Sequence, residues 1–210
     1  MISTHYEEEF WHHNHLVIGI DEAGRGALAG PVSAAAVILR PDRIPLGLND
    51  SKVLTAAQRS QLATEISSVA LSWSVALVDH DRIDNVNILQ ATFDAMHQAI
   101  NACMRSVGTA QPLHLLVDGN RFRPHLLPHT TIVHGDGLSA SIAAASIMAK
   151  TSRDAWMTDI DAVYPEYGFA QHKGYGTAAH RDTILRLGPC SIHRRTFLKK
   201  LTSVAQKGEF

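Results

Sequence analysis

Two adjacent acidic residues, Asp21 and Glu22, follow a short apolar stretch at residues 16–18 and precede a glycine-rich turn at residues 23–26. Adjacent carboxylates at the end of a buried strand repel each other and lose hydration, which costs free energy unless a positive charge lies beside them. A divalent metal ion is the simplest such charge, and glycines let the backbone approach a ligand closely. The pattern therefore favours metal-assisted phosphate chemistry. The alternative is a strand end followed by a solvated acidic turn.

Two further acids, Asp118 and Asp136, lie just after other apolar stretches, at residues 113–117 and 130–133. The carboxyl ends of strands in an open α/β sheet converge on a common site. Four carboxylates there suit two Mg²⁺ or Mn²⁺ ions, which prefer hard oxygen ligands. Two such ions, about 4 Å apart, can stabilise both the attacking and the leaving oxygen of a phosphodiester. Either aspartate alone indicates an ordinary turn, but acids at three strand ends favour a metal site.

The elements that must position these acids are predicted from hydrophobic periodicity. Thr55 and Gln58 form a capping-box pattern at the start of one helix. The predicted strands are residues 16–20, 32–39, 71–78, 113–117 and 130–133, and the predicted helices are residues 55–69, about 87–105, 139–156 and 177–187. A tight connection between the first two strands makes them an antiparallel pair. The chain is therefore predicted to be α/β with a mixed sheet.

Composition limits the class of protein. A chain of 210 residues with 45% apolar residues is long enough for one globular domain with a full core. Cys103 and Cys190 are the only cysteines and lack a metal-type spacing. No apolar run approaches the roughly 20 residues of a membrane span, and the histidine-rich N-terminus is expected to be a solvated arm. We therefore expect a cytoplasmic protein, and a monomer, since no interface stripe is visible.

Charge is distributed unevenly along the chain. The net charge is −1, which argues against a strongly basic nucleic-acid binder. Residues 171–210, however, contain 8 lysines and arginines against 2 acids, whereas residues 1–170 contain 11 against 18. A basic segment attached to an acidic body suits a polyanionic partner.

Several motifs, taken together and in order, resemble the ribonuclease HII family, the bacterial type 2 ribonucleases H. The matching segments run from about residue 16 to residue 197. They are residues 19–26, 30–32, 48–52, 117–120, 135–136, 144–150, 153–154, 164–165, 172–177 and 192–194. The resemblance implies a ribonuclease H-like fold, with a central mixed five-stranded sheet flanked by helices and a C-terminal helical segment. It implies one catalytic domain over residues 1–210, with a core at about 15–165 and a basic substrate-binding segment at about 166–210.

The resemblance also implies roles for individual residues. Asp21, Glu22, Asp118 and Asp136 match the four catalytic acids, which hold two Mn²⁺ or Mg²⁺ ions. The loop Gly24-Arg25-Gly26 matches one whose backbone reads the 2′-hydroxyl, the group that separates RNA from DNA. Tyr175 matches a tyrosine that packs on the sugar at the RNA–DNA junction.

Three basic residues complete the candidate site. By the same resemblance, Lys52 and Lys150 are expected to contact phosphates or the acidic cluster, although a solvated lysine is an equal alternative for Lys52. Arg194 is expected to contact phosphates within the basic segment. One departure is His134, where many family members have lysine. A mostly neutral histidine there is expected to alter metal affinity or pH dependence.

The implied activity is endonucleolytic cleavage of the RNA strand of RNA–DNA hybrids and cleavage on the 5′ side of single ribonucleotides in duplex DNA. The products are 3′-hydroxyl and 5′-phosphate ends, and the implied roles are primer removal and ribonucleotide removal. The alternatives are another nuclease or strand transferase with a ribonuclease H-like core, and a non-catalytic hybrid-binding module. The glycine loop and Tyr175 argue against the first alternative, and the complete set of acids argues against the second. No motif for docking on a replication clamp is visible.

Overall fold

A mixed five-stranded sheet forms the centre of the fold in the computed structural model, which describes residues 2–108 and 111–205. The strands are β1 (Leu16–Ala23), β2 (Val32–Ile38), β3 (Ser72–Val78), β4 (Leu113–Asp118) and β5 (His129–Ile132). Their spatial order is β3-β2-β1-β4-β5. β1 and β3 pair antiparallel with β2, whereas β4 pairs parallel with both β1 and β5. The predicted mixed sheet is confirmed.

Helices cover both faces of the sheet. They are α1 (His5–Trp11), α2 (Ala56–Val69), α3 (His80–Val86), α4 (Ile88–Val107), α5 (Ala140–Asp161), α6 (Phe169–His172), α7 (Ala178–Leu187) and α8 (Arg195–Ala205). Helix α4 packs with one face of β1 and β2, and α2 and α5 pack with the other. None of the helices in the described part of the chain is long and apolar enough to cross a membrane.

Two boundaries differ from the prediction. The helix predicted at about 87–105 is preceded by a separate short helix, α3, and Asn87 between them has a φ of 73° that breaks the helical path. Strand β1 continues past the predicted end at Ile20, because Asp21 and Glu22 pair with Ala35 and Ala34 of β2. The two acids are therefore part of a regular strand and have fixed directions. By contrast, the capping box of Thr55 and Gln58 is confirmed.

The histidine-rich N-terminus was predicted to be a solvated arm: His5, His12 and His13 are exposed, but the segment is folded onto the domain. Residues 5–11 form α1, and Glu7 is fully buried. Its carboxylate accepts hydrogen bonds from the Ser139 hydroxyl and the Ser141 amide, at the N-terminus of α5. An anion is stabilised there by the helix dipole and by amides that have no partner within the helix. The partners lie far along the chain, so a local pattern gave no sign of them.

The closest backbone approach between the sheet and α5 occurs at Gly19. A Cβ atom built on Gly19 would lie 2.1 Å from both the carbonyl carbon and the carbonyl oxygen of Ser141. The adjacent part of α5 consists of small buried residues, Ala140, Ala143, Ala144 and Ala145. Their small size was predicted to permit close packing, and the contact at Gly19 confirms it. This packing fixes α5 and the turn before it against β1.

Candidate active site

The sheet topology brings the four predicted acids to one edge. Because β1 and β4 are parallel, with Ile20 opposite Val117, the next residues along the two strands, Asp21 and Asp118, lie side by side. Asp136 lies in a short 3-10 turn, Gly135–Gly137, that follows β5. The Gly135 amide donates a hydrogen bond of 2.7 Å to Asp118 Oδ1. Neighbouring parallel strands thus place acids from three separate segments together, as the sequence predicted.

Burial and mutual repulsion act on these acids. Asp21 is 3% exposed. Burial, followed by the charges of Glu22 and Asp118, raises the pKa of Asp21 well above its usual value. Burial also raises the pKa of Glu22, against the effect of Arg25, whose guanidinium lies 3.0 Å from the carboxylate. The pKa of Asp118 is raised by burial and by the charge of Asp136. The protein therefore holds these carboxylates together at an electrostatic cost.

Lys52 partly offsets the negative charge. Its ammonium group lies 2.6 Å from Asp136 Oδ2 and 3.5 Å from Asp50. Burial lowers the pKa of Lys52, but the hydrogen bond and the charge of Asp136 outweigh that effect and raise it. Of the two roles predicted for Lys52, the structure shows contact with the acidic cluster.

No three His, Cys, Asp or Glu side chains within residues 2–108 and 111–205 are grouped as ligands of one metal ion. Asp136 is turned towards Lys52, and Asp21 Oδ1 accepts a hydrogen bond from the Glu22 amide at 2.7 Å. The residues nevertheless fit divalent cations, because all of them are hard oxygen donors. Burial, together with the neighbouring negative charges, raises the pKa of Asp21 and of Asp118, and a cation would offset both effects. Side-chain rotations would be needed to direct the oxygens at a common point.

The predicted glycine loop directly follows the acids. Gly24 has a φ of 90°, a conformation that favours glycine, and a Cβ atom there would lie 2.0 Å from Arg153 Nε. Arg25 and Gly26 are exposed, and a Cβ atom on Gly26 would meet no atom within 4 Å. The loop therefore packs against Arg153 at Gly24 and is open to solvent at Gly26.

Two buried arginines hold this loop. The Arg153 guanidinium donates to the carbonyl oxygens of Pro31, Lys173 and Ala29 at 2.8, 2.9 and 3.1 Å. Arg194 donates to the carbonyls of Gly30, Arg25 and Pro31, each at 3.0 Å. Both residues are 0% exposed. Within the described ranges, neither forms an ion pair with a carboxylate, so backbone dipoles alone satisfy their donors.

The expected phosphate contact of Arg194 does not agree with this placement. Its guanidinium is fully buried, and all three nitrogens already donate to the loop. Burial, together with the charge of Arg153, lowers the pKa of Arg194 to about 9, which leaves the group charged at neutral pH. Arg194 therefore shapes the loop from below. Arg195 beside it is exposed. The basic run Arg194-Arg195 suggested two surface residues, and sequence alone could not show which one turns inward.

This placement makes a stability prediction. Arg194→Lys keeps the charge but loses the planar fork, so at least two buried carbonyls lose their donors. We expect the free energy of unfolding, measured by urea denaturation, to fall by about 2 kcal/mol or more. The matched control Arg195→Lys should change it by less than about 0.5 kcal/mol. Equal effects of the two substitutions would contradict the structural role of Arg194.

Tyr175 and Lys150 face the same groove as the loop. The Lys150 ammonium and the Arg153 guanidinium lie 5.3 and 5.2 Å from the centre of the Tyr175 ring, within the range of cation–π attraction. Lys150 also forms an ion pair of 2.7 Å with Asp154. The groove is lined by Glu22, Ala23, Gly24, Arg25, Ser51, Lys52, Arg59, Ser146, Lys150 and Tyr175. It thus joins the acid Glu22 to most of the predicted substrate-binding residues.

A second hollow lies on the other side of Glu22 and Arg25. Asp118, Gly119, Asn120 and Arg121 line it, together with residues of α4. Asn120 and Arg121 were not predicted as site residues, although they directly follow Asp118 in the sequence. His134 precedes the Asp136 turn with a φ of 57° and is exposed. Its expected effect on metal affinity stays a prediction.

Behind Tyr175, two buried histidines contact each other. His180 Nε2 and His193 Nε2 are 3.1 Å apart, and the residues are 0% and 1% exposed. Burial lowers the pKa of both to about 4, and for His193 the neighbouring His180 adds to the effect. Both rings are therefore neutral at physiological pH.

The histidine pair predicts acid sensitivity. In the unfolded chain both histidines take up protons below about pH 6.5, whereas in the folded chain they resist protonation until about pH 4. Stability is therefore lost as the pH falls from 6.5 towards 4, by about 2 kcal/mol per histidine at pH 5. Urea denaturation at pH 7 and pH 5 measures this loss. The double variant His180→Gln, His193→Gln should flatten the dependence, and exposed His12→Gln should leave it unchanged. An unflattened profile in the double variant would contradict the assignment.

Comparison with known proteins identifies the family. The family model described as "Ribonuclease HII" matches residues 18–200. A protein named ribonuclease HII from Chlorobaculum tepidum is 53% identical, over 96% of this chain and 98% of the relative. Another of the same name, from Chlorobaculum parvum, is 52% identical over the same shares of both chains.

Solved structures agree on the fold. Ribonuclease H2 from Pyrococcus horikoshii superposes with a TM-score of 0.72 at 24% identity, over 92% of this chain and 100% of that one. Ribonuclease HII from Archaeoglobus fulgidus, in a complex with PCNA, superposes with a TM-score of 0.71 at 23% identity, over 90% of this chain and 96% of that one. Bst ribonuclease HIII in complex with Mn²⁺ superposes with a TM-score of 0.69 at 18% identity, over 92% of this chain and 71% of that one. Together with the family match, the mixed sheet and the acids at its edge, these findings show that the chain belongs to the ribonuclease HII family of endonucleases.

Proposed function

We propose that this chain is a metal-dependent endonuclease that hydrolyses the RNA strand of RNA–DNA hybrids and cuts on the 5′ side of single ribonucleotides embedded in duplex DNA. The products would be 3′-hydroxyl and 5′-phosphate ends. One observation carries the proposal: a single groove is lined by the acid Glu22, by Gly24 and Arg25 of the glycine loop, and by Tyr175. Phosphate hydrolysis and recognition of the neighbouring sugar can therefore occur together.

The acids Asp21, Glu22, Asp118 and Asp136 are the proposed holders of two divalent ions, Mg²⁺ or Mn²⁺. When bound, such ions supply a nucleophilic water near neutral pH and stabilise the leaving oxygen. The Mn²⁺ complex of Bst ribonuclease HIII, a protein of the same fold, supports this choice. Lys52 neutralises Asp136 in the present arrangement. It is placed to exchange that carboxylate for a phosphate oxygen when the site is loaded.

Recognition of the ribonucleotide is assigned to the loop Gly24-Arg25-Gly26 and to Tyr175. A 2′-hydroxyl is both donor and acceptor, so backbone amides and carbonyls can satisfy it. Gly26 leaves the space above the loop free. The ring of Tyr175 offers a flat surface to a sugar, and Lys150 beside it offers a charge to a phosphate.

The proposed partners are RNA–DNA hybrids and ribonucleotide-containing duplex DNA. The basic segment at about 166–210 would contact their phosphates. Arg194 is not one of the contacting residues, because it is buried. Residues 206–210 of this segment lie outside the described residues. We propose a monomer that acts in the cytoplasm, in primer removal and ribonucleotide removal. PCNA is a partner of the Archaeoglobus fulgidus protein. A replication clamp is not part of our proposal, because the sequence shows no docking motif.

The test is cleavage of a DNA duplex that carries one ribonucleotide, with Mn²⁺ or Mg²⁺, beside an all-DNA duplex and an EDTA control. We expect one cut on the 5′ side of the ribonucleotide, and none in either control. A duplex with a 2′-O-methyl group at the same position should resist cleavage, because the donor of the 2′-hydroxyl is lost. Cutting of the all-DNA duplex would instead support a nuclease that does not read the sugar. Binding without cutting in either metal would support a non-catalytic module.

A further inference from the structure

A directed chain of hydrogen bonds ends at the backbone of Tyr175. The Tyr175 carbonyl oxygen lies 2.9 Å from His180 Nδ1, and a carbonyl can only accept, so Nδ1 carries the proton. In a neutral ring, His180 Nε2 is then an acceptor. His193 Nε2, 3.1 Å away, must therefore be the donor. His193 Nδ1 then has no proton, so it accepts from the Cys190 amide at 3.0 Å, with the Cys190 thiol 3.1 Å away, and it makes no hydrogen bond to the Cys190 carbonyl at 3.3 Å. Each histidine thus has one defined tautomer.

The chain of bonds connects two segments that pair with residues 27–30, directly after the glycine loop. Ala27 bridges to Tyr175, and Ala29 bridges to His193. The bond between His180 and His193 links these two segments to each other. The Tyr175 turn, the loop and the segment around His193 therefore form one connected unit.

The turn before Tyr175 needs such support. Lys173 has a φ of 51°, a left-handed conformation that is uncommon outside glycine and that costs free energy. Its carbonyl accepts from Arg153, and the His172 ring stacks on His180 with ring centres 4.1 Å apart. Phe169 packs edge-on against His180 at 5.5 Å. Two apolar residues of the same size would fill this space, so packing alone does not explain a polar pair.

We infer that His180 and His193 are positioning residues that fix the Tyr175 backbone, and with it the direction of the ring in the groove. The ring nitrogens of the pair take part in the hydrogen bonds described above. The inference rests on the proposed function, in which Tyr175 contacts the sugar. It adds residues that never touch the substrate and that act through Tyr175.

Two substitutions of His180 separate the two bonds. Asn places its amide nitrogen near the position of Nδ1, so His180→Asn keeps the donor to the Tyr175 carbonyl and loses the link to His193. Gln places its terminal group near Nε2, so His180→Gln keeps the link to His193 and loses the bond to Tyr175. Both variants lose the ring, so their stabilities are compared first by thermal unfolding. The kcat/KM for a single-ribonucleotide duplex is then measured well below both midpoints.

We expect His180→Gln to lower kcat/KM by about 10-fold, since a small displacement of a positioning group reduces the rate strongly. His180→Asn should lose clearly less. In a Tyr175→Ala background, His180→Gln should cause little further loss, because its effect passes through the tyrosine. The inference would be overturned if Tyr175→Ala and His180→Gln lowered kcat/KM independently, so that their effects multiplied in the double variant. Equal losses of kcat/KM in His180→Asn and His180→Gln would also overturn it. If the wild type does not cut this duplex at all, the proposed function fails instead.

Nitrogen NMR shifts of the wild-type histidines provide a second test that needs no variant. We expect the proton of His180 on Nδ1 and that of His193 on Nε2. The opposite tautomers, or two charged rings at neutral pH, would overturn the inference even if every variant failed to fold.

Discussion

Asp118→Asn is expected to lower the cleavage rate by more than about 100-fold, because changing even an outer partner of a metal ligand costs about 10–100-fold, and this change removes a charged ligand itself. The fold should survive. Asp118 accepts the amide hydrogen bond of Gly135 through Oδ1, and asparagine keeps an acceptor at that position. Removing the charge also relieves the repulsion that raises the pKa of Asp21. The metal-free variant should therefore unfold at a temperature no lower than that of the wild type.

Single-turnover cleavage, hybrid binding and thermal unfolding are measured together for this variant. The matched control is Asp81→Asn, which changes an 82% exposed carboxylate outside the acidic cluster and should leave cleavage unaltered. Substrate binding by Asp118→Asn should stay within a few-fold of the wild type. Undiminished cleavage would refute the proposed cluster. Loss of folding would instead show that the Asp118 carboxylate is needed for structure. That result would contradict the expectation that removing its charge leaves the unfolding temperature no lower than that of the wild type.

Gly19→Ala should lower the free energy of unfolding by about 3 kcal/mol or more, the upper end for overpacking in a core. The new methyl group would lie 2.1 Å from two backbone atoms of Ser141, and backbone atoms in the first turn of α5 cannot rotate away as a side chain can. Relief requires that α5 move from β1. The Asp136 turn directly precedes α5, so cleavage should fall as well.

Urea denaturation of Gly19→Ala measures this cost. Gly26→Ala is the matched control for stability, because its methyl group would meet nothing within 4 Å, and the expected change is below about 0.5 kcal/mol. A Gly19→Ala protein as stable as the wild type would mean that the sheet and α5 are not in the close contact described here.

The sequence predicted the parts of the site that depend on strand order. The acids at 21, 22, 118 and 136 stand at or near the ends of apolar stretches, and such ends converge in an open α/β sheet. Periodicity thus indicated the convergence, and the family resemblance supported it. The elements missed were those defined by distant partners. Helix α1 is short and polar, and it is fixed by Glu7, whose partners at Ser139 and Ser141 a local pattern cannot show.

The two buried arginines show the same limit. A charged residue is rarely buried without a partner charge, so nothing in the sequence indicated that Arg153 or Arg194 lies in the interior. Their actual partners are main-chain carbonyls of a loop that deviates from regular structure, and carbonyl positions are set by the tertiary fold. The family resemblance placed Arg194 near the substrate, but only the structure shows that it acts from beneath the loop.

The position of Arg194 in the chain has a consequence for biosynthesis. Arg194, which holds the loop at residues 24–31, is made 164 residues after Gly30, one of its partners in that loop. Strands β1 and β4 likewise pair across about 100 residues of sequence. A ribosome-bound chain that has not yet extended past residue 194 therefore has acids but no supported loop. The loop therefore gains this support only after residue 194 has been made and has left the ribosome.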